Sequence, residues 1–210
     1  MKMDRQRKGI FIMRSFQEAV VNRRTNYALG KQIEVLPAQI IEVVENLVKE
    51  VPSSFNMQSA RVVVAFGDNH DKIWNITKNI LQKIVPAENF AATEEKINGF
   101  AAAYGTVLFF DETETVQTMQ KQFAAYADNF PIWAQQANGM LQFAIWTALT
   151  DLGLGANLQH YNPLIDDQVK AAFALPTSWK LIAQMPFGQP LQAVKAIEKL
   201  PMEKRVKILA

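Results

Sequence analysis

Residues 105–110, Gly-Thr-Val-Leu-Phe-Phe, form an uninterrupted apolar run that predicts a buried β-strand. Short runs rich in β-branched and aromatic side chains are typical of strands that are covered on both faces. Two further stretches, at 61–66 and 179–185, are also predicted to be strands, although Arg61, Lys180 and Gln184 interrupt their apolar character. We expect the last of them to end at Pro186 and Gly188, because both residues are common terminators of strands. The sequence therefore predicts at least three strands.

Helices are predicted between these strands. Pro37 suits the first turn of a helix over 37–51, where its missing N–H costs nothing, and apolar residues recur along one face of that segment. The strongest helical pattern covers 131–152. Further helices are predicted at 16–21, 67–85, from 86 onward, 113–126 and 163–175. Few strands, several helices and no strict βαβ alternation favour an α+β layered domain over 13–210.

Composition limits the possible functions. The chain has 210 residues, a formal net charge of +2, no cysteine and two histidines. Disulfides, thiolate nucleophiles and zinc–thiolate sites are therefore excluded, no metal site is predicted, and the charge is too small to suggest nucleic acid as a partner. We expect no membrane span and a cytoplasmic location. Residues 1–12 are predicted to be a disordered or vector-derived extension.

Two stretches offer groups that suit a phosphorylated ring compound. Arg23, Arg24 and Thr25 are candidate phosphate ligands, because guanidinium groups bind phosphate oxygens in a bidentate way and stay charged. Alternatively, Arg23 and Arg24 bind no ligand and simply lie at the C-terminus of a helix, where positive charge interacts favourably with the helix dipole. Residues 53–58, Ser-Ser-Phe-Asn-Met-Gln, offer hydroxyl and amide groups for the polar edge of a ring, or they form a solvated loop.

A third stretch begins with Gly-Leu-Gly at 153–155. It is not a dinucleotide fingerprint, because Leu158 stands where the third glycine would fall and a helix precedes the motif. Gly153 is a candidate helix cap, and the small residues allow a flat aromatic ligand to approach the backbone. His160 lacks a neighbouring serine or aspartate, and we expect it to be a packed, hydrogen-bonded core residue. No catalytic side chain is assigned.

Together these stretches resemble the FMN-dependent nitroreductase family, most closely its short Frm2/Hbn1-like subgroup. Residues 22–30 (NRRTNYALG) are similar to the phosphate motif of that group. Residues 52–59 (PSSFNMQS) are similar to the family's Pro-Ser-Ser/Ala-x-Asn-x-Gln-Pro loop, from which Ser59 departs. The resemblance runs from about residue 14 to the end through further stretches at 105–110, 155–163, 184–188 and 203–206.

The resemblance implies a sandwich with a central, mostly antiparallel sheet and a homodimer with the flavin site at its interface. The segment from residue 187 onward has little apolar periodicity, and we expect it to dock on the partner subunit. The resemblance also implies non-covalent FMN and a ping-pong transfer of two electrons from NADH or NADPH to nitroaromatic, quinone or related small aromatic acceptors. The residues that it implies for FMN are Arg23, Arg24, Thr25, Asn26, Ser53, Ser54, Asn56, Gln58, Leu154, Gly155, Ala156, Asn157 and Arg205.

An alternative function stays open at this point. The same fold could serve a non-enzymatic flavin-binding redox sensor or regulatory module, which would bind the cofactor without turnover.

Overall fold

An antiparallel sheet forms the middle layer of the computed structural model, which describes residues 15–209. The strand order is β1-β5-β3-β2, and β4 also pairs with β5. The strands are β1 (Leu29–Gly30), β2 (Ala60–Phe66), β3 (Gly105–Glu112), β4 (Gly155–Ala156) and β5 (Trp179–Pro190). The predicted α+β class with a mostly antiparallel sheet is thus confirmed, whereas the extension predicted at 1–12 lies outside the described residues.

Seven α-helices in the described part of the chain flank this sheet. They are α1 (Phe16–Asn22), α2 (Pro37–Glu50), α3 (Gly67–Ile84), α4 (Ala87–Ala101), α5 (Thr113–Gln122), α6 (Phe130–Asp151) and α7 (Asp166–Ala172). Three short 3₁₀ helices cover Ser54–Asn56, Ala124–Asn129 and Met202–Lys204. No helix within residues 15–209 is both long and apolar enough to cross a bilayer.

The central strand β3 explains the layered arrangement. Val107 and Phe109 pack into a core with α2 and α6, whereas Leu108 and Phe110 pack into a second core with α3, α4 and α7. Side chains alternate between the two faces of a strand, so a strand that is covered on both faces is apolar throughout. The continuous run at 105–110 therefore reflects burial on both sides.

Buried polar side chains tie helices to the strand β3. His70 Nε2 donates to the carbonyl of Ala101, so the other ring nitrogen, Nδ1, is the acceptor for the Thr106 hydroxyl. The oxygen of that hydroxyl also accepts a hydrogen bond from Trp74 Nε1. Burial lowers the pKa of His70, which favours this neutral form.

A second buried polar contact joins α6 to β3. Asn138 donates to Asp111, and burial raises the pKa of that carboxyl. Each of these groups has a structural hydrogen-bond partner.

The strand β5 is longer than predicted. It does not end at Pro186 but continues to Pro190. Pro186 lacks an N–H, yet its carbonyl accepts from Asn157 N at 3.2 Å, and the residues beyond it pair with β1 and β4. Gly188 is not a terminator either, because a Cβ there would lie 2.4 Å from Gly30 O. Its missing side chain lets the strands approach.

Other boundaries also differ from the predictions. The helix predicted over 113–126 ends at Gln122 and is followed by a 3₁₀ segment, and the helix predicted over 163–175 covers only Asp166–Ala172. His160 is exposed between the buried Gln159 and the half-buried Tyr161, so its predicted place in the core was wrong. Exposed positions in such short connections carry no periodic signal.

Candidate functional site

Two of the predicted stretches meet beside β4. Asn26 N donates to Ala156 O at 2.9 Å, and Asn157 Nδ2 donates to Asn26 O at 2.8 Å. Thr25 forms a parallel bridge with Ala156. A Cβ on Gly155 would lie 2.9 Å from the side chain of Leu29 and 3.0 Å from that of Asn26. The glycine therefore permits the contact between segments that are about 130 residues apart.

Arg23 lies at the end of α1, which begins with a capping box formed by Ser15 and Glu18. Its guanidinium lies 4.5 Å from the centroid of the Trp146 ring, in a cation–π arrangement. The Nε atom of Arg23 is buried and has no hydrogen-bond partner among the described residues. Desolvation and the charge of Arg24 lower the pKa of Arg23. The side chain is thus held in place while part of its donor capacity is unused.

A cavity of about 370 Å³, which we call the arginine cavity, opens beside Arg23. Arg24 lines it as well and donates from Nη2 to the backbone carbonyl of Lys195, which brings the chain after β5 across the site. All lining residues belong to the described part of the chain, and none is a carboxylate. They are Arg23, Arg24, Thr25, Asn26, Tyr27, Ala28, Gln192, Ala193, Val194, Lys195 and Ile197. Three cations around a cavity without a counter-charge favour an anionic ligand.

The stretch 154–157 is buried behind the segment that lines this cavity. Leu154 belongs to the core shared with α2 and α6, and Ala156 and Asn157 are fully buried. The amide oxygen of Asn157 also accepts from Gln159 Nε2 at 2.8 Å. These residues are therefore committed to internal contacts, and they support the segment that carries Arg23 and Arg24 without lining the cavity themselves.

The ring of Phe55, in the loop 53–58, contacts the other end of α6. It stacks on Trp133, near the beginning of that helix, whereas Arg23 contacts Trp146 and the buried stretch 154–157 follows the end of the helix. Trp133 and Trp146 are thirteen residues apart, which corresponds to roughly 20 Å along a helix that rises about 1.5 Å per residue. No residue of the loop 53–58 lines the arginine cavity of the same chain, although Ser53 and Gln58 reach the middle of α6, where they lie beside Ala137 and Leu141.

Comparison with known proteins identifies the family to which this arrangement belongs. A family model described as "Nitroreductase family" matches residues 20–189. The chain belongs to the nitroreductase family. Two Saccharomyces cerevisiae relatives, HBN1 and nitroreductase FRM2, are 35% and 34% identical over 84% of this chain and 88% of each relative.

Solved nitroreductases have the same fold. Nitroreductase CinD from Lactococcus lactis, in complex with chloramphenicol, superimposes with a TM-score of 0.86 at 41% identity, covering 93% of this chain and all of CinD. A nitroreductase from S. cerevisiae gives a TM-score of 0.73 at 34% identity, with 86% of this chain and 98% of that one covered. Membership in this family, with relatives named as nitroreductases, supports an oxidoreductase reaction.

Within the nitroreductase fold, the predicted site residues fall into three groups. The stretch 23–26 lines the arginine cavity, the stretch 154–157 is joined to it by backbone contacts but does not line the cavity, and the ring of Phe55 in the loop 53–58 contacts the opposite end of α6. Arg205 is exposed after the last 3₁₀ turn and does not line the cavity. Its assignment, like those of the other site residues, therefore remains a proposal.

Seven of the residues that line the cavity were not predicted, namely Tyr27, Ala28, Gln192, Ala193, Val194, Lys195 and Ile197. Tyr27 directly follows the Arg23–Asn26 stretch in sequence, and this adjacency was a usable signal. Lys195 lies in a segment without regular periodicity, and nothing in the sequence connects it to the arginines 170 residues earlier.

Proposed function

We propose that this nitroreductase is an FMN-dependent NAD(P)H oxidoreductase that passes two electrons by a ping-pong mechanism to nitroaromatic, quinone or related acceptors. The observation that carries the proposal is the arginine cavity. Arg23 and Arg24 share it without a carboxylate, and Arg23 retains a buried, unpartnered Nε. A phosphate monoester would supply the missing acceptors and the negative charge. The donor set therefore fits the phosphate end of FMN.

The remaining parts of the proposed site follow from this anchor. Arg23, Arg24 and Thr25 would hold the phosphate, and Asn26, which lines the same cavity, would lie beside the rest of the ligand. A family member from Desulfovibrio desulfuricans, with 16% identity and a TM-score of 0.67, was solved in complex with FMN. That structure supports the choice of cofactor.

A second copy of the chain is needed to complete the proposed site. A ligand held in the arginine cavity would lie near the end of α6, whereas no residue of the loop of the same chain that carries Ser53, Ser54, Asn56 and Gln58 lines that cavity. The same helix exposes apolar side chains at Ile132, Met140 and Phe143, which lie on one face. We infer a homodimer in which the loop 53–58 of one protomer meets the flavin bound by its partner.

The C-terminal tail, residues 191–209, supports the same assembly. All of its residues are exposed in the isolated chain. Its large apolar members recur along the segment at Leu191, Val194, Ile197, Leu200, Met202, Val206, Ile208 and Leu209. Apolar side chains at this density are stabilised when they are covered by another surface. Docking of the tail on the partner would also carry Arg205 toward the partner's side of the dimer.

The free edge of β2 is a suitable place for the tail. β2 pairs only with β3 among the described strands, and a cavity of about 610 Å³ lies between β2 and α2. Its lining includes Ile41, Val48, Val62 and Val64. An extended apolar segment can add to an open strand edge through its backbone and fill such a groove with alternate side chains.

Removal of the tail is expected to dissociate the dimer. A chain ending at Pro190 keeps β5 complete but lacks the apolar residues that would cover the partner. Light scattering should give twice the single-chain mass of 23.7 kDa for the full-length protein and a predominantly single-chain mass for the truncated protein. A truncated protein that keeps the mass of two chains would contradict this role of the tail.

In the proposed reaction, the main role of the protein is to bind and orient the cofactor and the substrates. FMN supplies hydride chemistry when it is bound, so no side chain needs to act as a nucleophile. The arginines would fix one end of the cofactor, and the buried stretch 154–157, which pairs with Thr25, would hold the segment that carries them in place. Asn56 and Gln58 of the partner would offer amide groups to its polar edge. No catalytic side chain is assigned.

Turnover tests the proposal and separates it from a flavin-binding sensor. CinD was solved with chloramphenicol and with 4-nitrophenol, which supports a nitroaromatic compound as the test acceptor. We expect the purified protein with FMN to oxidise NADH or NADPH when 4-nitrophenol, chloramphenicol or a quinone is added. Double-reciprocal plots of the initial rate against NAD(P)H, taken at several acceptor concentrations, should be parallel lines, as a ping-pong scheme requires. Bound flavin without NAD(P)H oxidation by any acceptor would instead favour the sensor.

A further inference from the structure

The loop 53–58 has an unusual backbone. Phe55, Asn56 and Gln58 have φ angles of 56°, 52° and 52°, in the left-handed region, and none of them is glycine. Asparagine adopts this conformation more readily than most residues, but a bulky aromatic residue seldom does. Such a conformation persists only when surrounding contacts impose it.

The side chain of Phe55 supplies these contacts. Its ring centroid lies 4.8 Å from that of Phe123, 5.4 Å from Phe130, 5.7 Å from Trp133 and 5.9 Å from Tyr126. The plane of the ring is only 19° from that of Trp133. We call these five residues the aromatic cluster. Phe55 is nevertheless 50% exposed, so the cluster, whose member Phe130 is fully buried, covers one side of the Phe55 ring and leaves the other side at the surface.

The neighbouring residues show what the cluster positions. Met57 is buried beside Phe130, and the Ser53 hydroxyl accepts from Gln58 N at 2.9 Å, which closes the loop on itself. With positions 55 and 57 anchored, the side chains of Asn56 and Gln58 are exposed. The anchored and the exposed residues therefore alternate along the loop.

We propose that Phe55 is a positioning residue for the cofactor site. Its ring, stacked on Trp133, imposes the left-handed backbone that presents Asn56 and Gln58 to the flavin bound by the partner protomer. Phe55 itself contributes no hydrogen bond. It acts by ordering the loop before the ligand arrives, so that this ordering no longer opposes binding. The inference rests on the proposed function.

Equilibrium titration of the apoprotein with FMN and with riboflavin tests this role. Phe55→Ala is expected to raise the Kd for both ligands about tenfold, because the loop would meet the ring that they share. Trp133→Leu should reproduce the effect from the other side of the stack. Phe55→Tyr retains the stack and should stay within about twofold of the wild type. Phe55→Leu keeps apolar volume for folding but cannot stack, and it should also bind more weakly.

Phe173→Ala serves as the control. Phe173 is a half-buried aromatic residue that packs against the other core, beside Lys72, and its removal should leave both Kd values unchanged. Circular dichroism and light scattering on every variant establish that it is folded and has the wild-type mass.

The possible outcomes distinguish a failure of the proposed function from a failure of the positioning role of Phe55. Wild-type apoprotein that binds neither ligand would overturn the proposed function itself. Wild-type binding that persists unchanged in folded Phe55→Ala or Phe55→Leu would overturn only the positioning role. Equal weakening of FMN and riboflavin in these variants, together with rescue by tyrosine, would support it.

Discussion

Replacing Arg23 and Arg24 together with alanine should weaken FMN binding by about 100-fold or more and leave riboflavin binding nearly unchanged. Riboflavin lacks the phosphate, so the two ligands differ only in the group that the arginines would bind. A hydrogen bond to a charged group contributes roughly 1.5–3 kcal/mol, and two such losses correspond to at least two orders of magnitude in Kd. Equilibrium titration of the apoprotein, followed by flavin fluorescence, measures both affinities.

Two matched variants control this experiment. Replacing both arginines with lysine keeps the charge but loses the planar fork, and an intermediate affinity is expected. Alanine at Lys78 and Lys83 on α3 removes the same total charge away from the cavity and should leave both Kd values unchanged. FMN affinity that survives the double arginine substitution would show that the phosphate binds elsewhere.

Gly188→Ala is expected to destabilise the protein strongly. A Cβ at this position would lie 2.4 Å from Gly30 O and 2.9 Å from Tyr104 N, and both atoms belong to backbone that cannot rotate away. Forcing extra atoms into a packed interior costs about 1–3 kcal/mol or more, and for a chain of this size each kcal/mol lowers Tm by about 2–4 °C. We therefore expect a Tm lower by roughly 5–10 °C in thermal unfolding followed by circular dichroism.

Gly99→Ala provides the comparison for Gly188. A Cβ on Gly99, inside α4, would meet no atom within 4 Å, so alanine there should leave Tm unchanged or raise it slightly through its higher helix propensity. A Gly188→Ala protein with the Tm of the wild type would mean that β1 and β5 do not approach as closely as described.

The elements that the sequence predicts well are those with long, regular patterns. The run at 105–110 indicated β3 because both of its faces are buried, and the pattern at 131–152 indicated α6. The strands β1 and β4 have two residues each, so they carry no periodicity, and their pairing with β5 depends on residues more than thirty positions away. The prediction that β5 ends at Pro186 was wrong because a proline lacks only the N–H donor. Its carbonyl can still accept a hydrogen bond from a neighbouring segment, as Pro186 does from Asn157 N.

The candidate site was predictable in its parts but not in its assembly. Arg23 and Gly155 were recognisable from the chemistry of their segments, and the structure brings their segments together. Lys195 was not, because it reaches the cavity through a tail without regular pattern. The sequence also gave no sign that Phe55 in the loop 53–58 contacts the other end of α6, because a distance within the fold depends on tertiary packing.

The visible absorption spectrum of the purified protein, before and after anaerobic addition of NADH or NADPH, tests the central claim most directly. We expect a yellow protein with the absorption bands of a bound flavin, which bleach when the reductant is added and return when an acceptor is added. Colourless protein that takes up no added FMN would contradict it, because the arginine cavity would then have no flavin phosphate to bind.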